Sequence, residues 1–144
     1  MKSFQAYSVA GFCFTAEDLP FEPANLLPFR VQTTKRAVLF SIKVTPEMPG
    51  TNSSLLYKTP DTPGFPVIAI YTQSAGYLFE FQPLPDQPVA GRMAVTNDFC
   101  RAELCLASSD DLYAINAAMM LLFTFSTAQK GALVIHGRCH RASA

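Results

Sequence analysis

The sequence predicts an α+β domain, a mainly antiparallel sheet of about six to seven short strands with one long buried helix near the C-terminus. Short runs of alternating apolar and polar residues recur up to Leu106, separated by turns rich in Gly, Pro, Asn and Asp. The stretch from Ser108 to Gly131 then reads as a single capped helix, apolar from Leu112 to Phe125 on nearly every face. Strands and helices do not alternate along the chain, which argues against a doubly wound parallel sheet.

The elements follow in order. Phe4, Ala6 and Ser8, then Phe12, Phe14 and Ala16, alternate with more polar residues around Ala10-Gly11, a hairpin pattern. Asp18 to Pro28 holds three prolines and no periodicity, so it is a surface loop pinned by Leu26, Leu27 and Phe29. Thr34-Lys35-Arg36 is a polar tip before Ala37–Val44, where Val38, Phe40, Ile42 and Val44 share one face of a strand. Pro46 to Pro66 contains five prolines and two glycines, with Leu55, Leu56 and Tyr57 as a short edge strand inside a loop. Val67–Thr72 and Tyr77–Gln82 form a second hairpin. Gly91–Val95 and Arg101–Leu106 are two further strands joined through Thr96-Asn97-Asp98.

In the helix, about Asp110 to Gln129, Ser108 or Ser109 supplies the cap, and Asp110 and Asp111 place negative charge at the positive end of the dipole. Gly131 ends it. Ala132–Ile135 follows as a short apolar strand, and an unpaired edge there is expected to make a homo-oligomer. One domain thus spans 1–136. The tail 137–144, GRCHRASA, is polar and breaks the pattern. It is compatible with a shifted reading frame, because one codon choice for His136 onward, moved by a single nucleotide, encodes His-Ala-Ala-Val-Ile.

Composition limits the function classes. Lys plus Arg equals Asp plus Glu, giving zero formal charge, so nothing favours nucleic acid. The apolar part of the helix is shorter than the roughly 20 residues of a membrane span, and no signal peptide is read at the start. The expected location is the cytoplasm, with an unidentified protein as the partner. Of the four cysteines, Cys13, Cys100, Cys105 and Cys139, none forms Cys-x-x-Cys, and all read as small buried hydrophobes. Cys100 and Cys105 with His136, Cys139 or His140 are zinc-type ligands, but their spacing fits no closed site, so no metal is expected. Phe12, Phe14, Phe40, Phe79, Phe81, Phe123 and Phe125 read as core, since no basic residues interleave with them. No phosphate-binding loop, nucleophile elbow or His-Glu-x-x-His motif is present. No catalytic residue is assigned.

The segments AGFCF, NLLPFRV (Asn25–Val31), AVLFSIKV and above all INAAMMLLFTFSTAQKGALVIH resemble the N-terminal part of bacterial proteins related to HPr kinase and ATP-dependent phosphoenolpyruvate carboxykinase. In that family such a helix leads into a strand ending in His, followed by the phosphate-binding loop. The resemblance implies an accessory N-terminal region of a phosphotransferase, inactive alone, with His136 as the one position near the phosphate site. ATP and Mg²⁺ are implied only for a longer relative, because GRCHRASA stands where the family continues with small and apolar residues on the way to the Gly-rich loop. The reading independent of the resemblance is a β-rich module that binds a protein or peptide by strand addition, through an edge strand or the loops of 46–66.

Overall fold

Ala10 and Gly11 both adopt left-handed backbone angles (φ 51° and 83°), the geometry of a tight hairpin turn. They join β1 (Phe4–Val9) to β2 (Phe12–Glu17). The computed structural model describes residues 3–32, 37–47 and 53–131. Within them follow β3 (Arg30–Val31), β4 (Val38–Val44), β5 (Ser54–Lys58), β6 (Val67–Gln73), β7 (Gly76–Gln82), β8 (Gly91–Thr96), β9 (Arg101–Leu106) and a helix, α1 (Leu112–Ala128).

The sheet corrects the expected one. It is a single mixed sheet of nine strands in the order β3-β1-β2-β4-β9-β8-β7-β6-β5. Its centre is parallel: β4 runs parallel to β2, with Ala16 opposite Ile42, and to β9, with Ile42 opposite Ala102. The physical reason lies in the connections. After β2 the chain passes through a 3-10 turn at Leu27–Phe29 and the two-residue β3, and β4 then starts in the direction of β2. The antiparallel run β5–β8 then delivers β9 to the free side of β4. The alternation of VLFSIKV is the same whichever way its neighbours run, so direction was not readable from it.

Tyr7 lies opposite Phe14 and is fully buried, whereas Phe4 lies opposite Glu17 and is exposed. The rings of Tyr7, Phe14 and Phe40 stack in sequence, with centroids 5.3 and 4.7 Å apart. These join Ile42, Phe79, Phe81, Met93 and Leu104 to make the core.

α1 lies across this face, touching β4, β7 and β8. Its cap is Asp111, whose carboxylate accepts from the Ala114 N–H at 3.0 Å, while Ser108 bonds the Asp110 side chain instead. The expected stop at Gly131 is found, with φ 78°. The helix is not buried all round. Ala114, Ile115, Ala117, Ala118, Met119 and Leu122 face the sheet, but Leu112 is exposed and Met120 is 53% exposed. Small residues set its height: a Cβ added to Gly91 would stand 3.1 Å from the Ala114 Cβ and 3.3 Å from the Cys105 carbonyl oxygen. Asn116, the polar break within the helix, accepts from the Asn25 amide at 3.2 Å and so ties the loop after β2 to α1. The strand expected at 132–135 and the tail 137–144 lie outside the described residues.

Leu122→Ala should cost about 2–5 kcal/mol in denaturant unfolding, while Met120→Ala should stay within about 0.5 kcal/mol. Equal losses would contradict the one-sided burial of α1. A second test concerns Tyr7, whose pKa is pushed up to about 12, first by burial and then by the neighbouring Glu22 carboxylate. Its hydroxyl lies beside the Glu22 carboxylate, yet no hydrogen bond of good geometry joins the hydroxyl to Glu22 or to any other described residue. A raised folded pKa gives stability that is intact below the unfolded value of about 10 and is lost as pH climbs from there toward 12. Tyr7→Phe should therefore be neutral or stabilising at pH 7 and should flatten the decline between pH 10 and 12. A strongly destabilised Tyr7→Phe protein at pH 7 would show that the hydroxyl has a partner.

Candidate interaction surface

The sheet has two edges of very different character. At one end β3 is only two residues long, too short to template another strand. At the other end β5 is five residues long and, among the described residues, pairs on one side only, with β6. Every residue of β5 is exposed: Leu55 is 57%, Leu56 59% and Tyr57 53% accessible. Natural edges are usually blunted by charge, proline or brevity. Here the only charge on the strand is Lys58, which pairs with Asp61 at 3.8 Å. The ladder does carry one irregularity. Leu55 pairs with Tyr71 and Tyr57 with Ile70, so Leu56 is an extra, bulged residue. Phe65, in the loop that leads into β6, is also largely exposed, adding a further apolar side chain near this end of the sheet.

The face of the sheet opposite α1 is the second feature. Over the parallel strands β2, β4 and β9 it carries the buried Thr15 and, beside it, Glu17, Ser41, Lys43, Arg101 and Glu103. The Thr15 hydroxyl donates to that of Ser41 at 2.9 Å. Farther along, Glu80 and Arg92 form an ion pair at 2.7 Å between β7 and β8. Between β4 and the β6–β7 turn this face holds an open trough of about 550 Å³.

His136, tied by resemblance to a phosphate site, lies outside the described residues, as do Cys139 and His140. Cys100 and Cys105 are not brought together as ligands. The Cys105 thiol meets the Pro46 carbonyl at 3.5 Å, and the Cys100 thiol meets the Asp98 carbonyl at 3.6 Å. Cys100 is exposed and Cys105 half-buried, not the buried hydrophobes expected; partial desolvation and the adjacent Asp98 carboxylate push the Cys100 thiol up, away from thiolate chemistry. Asp98 itself is held below the usual carboxylate range by hydrogen bonds from the Thr96 hydroxyl and the Cys100 backbone N–H. Among the described residues no three His, Cys, Asp or Glu side chains gather as a metal site, and no helix is long and apolar enough to cross a membrane. Phe14, Phe40, Phe79 and Phe81 are buried in the core, as expected.

Sequence reasoning placed Leu55, Leu56 and Tyr57 on an edge, and the structure puts them there. It missed the charged row Glu17, Lys43 and Glu103, because that row exists only once β2, β4 and β9 lie side by side. No protein-family model matches the chain, and neither a curated protein nor a solved structure is found similar to it.

If β5 makes no packed contact on its outer side, Leu56→Lys should change stability by no more than about 0.5 kcal/mol. It should also reduce self-association in light scattering at high protein concentration. A loss of several kcal/mol in urea unfolding would place Leu56 in the core instead.

Proposed function

We propose that the protein is an interaction module that holds an extended, apolar segment of a partner protein as an added strand along β5. One observation carries this reading: three consecutive large apolar residues stand more than half exposed on a strand with a single neighbour among the described residues. In strand addition the backbone N–H and C=O groups of the edge supply affinity, and the side chains on either side of the strand supply selection. Leu55, Leu56 and Tyr57 select for apolar and aromatic residues. Lys58, already engaged with Asp61, adds little charge preference.

Peptides selected from a displayed library on the full chain provide the test. Enriched sequences should alternate apolar and polar residues, and they should lose binding at least tenfold to Leu56→Pro. Proline could unravel the strand itself, so Tyr57→Glu serves as the second variant and should give the same loss with an unchanged circular dichroism spectrum. Peptides that bind both variants as well as the native chain would overturn the reading, as would a library that yields no binder.

The accessory role in an HPr-kinase-like phosphotransferase is a second proposal. In its favour is the helix Leu112–Ala128, which the resemblance requires ahead of His136. On that reading ATP and Mg²⁺ bind only to a longer relative that carries the Gly-rich loop, and substitutions in β5 leave that binding unchanged.

A further inference from the structure

Parallel strands are ordinarily covered on both faces and carry apolar residues on both. Over β2, β4 and β9 this rule holds toward α1, where Ala16, Ile42, Ala102 and Leu104 are buried. On the opposite face the same strands carry charge. Glu17 lies in register with Lys43, and Lys43 in register with Glu103, so acid, base and acid follow one another across three adjacent strands. Arg101 stands on the same face of β9, two residues before Glu103. Neighbouring strands are about 4.8 Å apart, yet among the described residues no ion pair joins any of these four side chains. They line the trough of about 550 Å³, together with Ser41 and Thr96. That volume falls in the range of small-molecule sites.

We propose that this trough binds a small zwitterion, a free α-amino acid or a dipeptide. The ligand carboxylate lies between Lys43 and Arg101, and its ammonium lies against Glu17 or Glu103. Charge complementarity selects this class. A simple anion would meet the two carboxylates, and a simple cation would meet Lys43 and Arg101. A molecule with both charges on one short frame satisfies adjacent strands with one ion pair each. Ala94, small and part-buried among the lining residues, leaves room above the sheet for the ligand backbone. The site is independent of the β5 edge and does not rest on the strand-addition reading.

The test is a titration of the ¹⁵N-labelled full chain, followed by amide shifts, with glycine, glutamate, lysine, arginine and Gly-Gly, each beside its N-acetyl amide counterpart. At least one zwitterion should give saturable shifts centred on 17, 41–43 and 101–103, with a dissociation constant of about 1 mM or tighter. Preference for an amino acid over Gly-Gly, or the reverse, identifies the source. The capped counterparts should bind at least tenfold more weakly. Lys43→Met should weaken binding by a similar factor, and Lys58→Met should not. Arg101→Met, at an exposed position, is read in the same way if Lys43→Met perturbs the fold. Absence of saturation by any zwitterion, or equal binding of capped and uncapped ligands, would overturn the proposal. So would shifts on this face that depend on protein concentration alone, which would mark it as an interface between two copies.

Discussion

The seating of α1 on the sheet is the contact on which the rest of the structure depends. Phe123 and Phe125 stand two positions apart on the helix and so point to opposite sides of it. Phe123 meets Phe12 and Phe14 of the first hairpin, with ring centroids 6.0 and 6.3 Å away. Phe125 meets Phe79 of β7 and Phe99 of the β8–β9 turn, at 5.9 and 5.2 Å. The helix therefore ties the N-terminal strands to the later antiparallel run. Phe99 holds a left-handed backbone (φ 58°), an unfavourable conformation for a bulky residue. Stacking on Tyr77 and Phe125, and a hydrogen bond from the Ser126 hydroxyl to its carbonyl at 2.9 Å, offset that strain. The turn and the end of the helix are thus fixed together.

Much of this was legible in the chain itself. Local signals worked where the physics is local: Ala10-Gly11 marked a hairpin, Gly131 a helix end, and the alternation of Val67–Thr72 and Tyr77–Gln82 a strand pair. The pattern failed where partners are distant in sequence. Nothing in Val38–Val44 records that both of its neighbours run parallel to it. Nor did the helix sequence show which side is covered, because Met120 and Leu122 are equally apolar and only the sheet below tells them apart. The cap was misassigned for a related reason. Four candidates, Ser108 to Asp111, stand in a row, and the entry angle of the chain decides that Asp111 faces the Ala114 N–H.

The two candidate surfaces have different origins. The β5 edge is visible in sequence as three apolar residues set among prolines, and its chemistry is that of the backbone. The trough is a product of topology. Glu17, Lys43 and Glu103 come from distant parts of the chain and meet only in the finished sheet. A surface assembled this way leaves no compact motif in the sequence.

The position of β4 also bears on how the molecule comes into being. Its pairing with β9 joins segments separated by the entire run β5–β8. As the chain leaves the ribosome, β1, β2 and β4 are available well before β9, so one side of β4 stays without a neighbour for that interval. Closing such a distant pairing carries a loop-entropy cost and slows folding relative to hairpins of similar size. The nascent N-terminal half is thus a sheet fragment with an open side, and the stage most exposed to chaperones or mispairing ends when Arg101–Leu106 arrives.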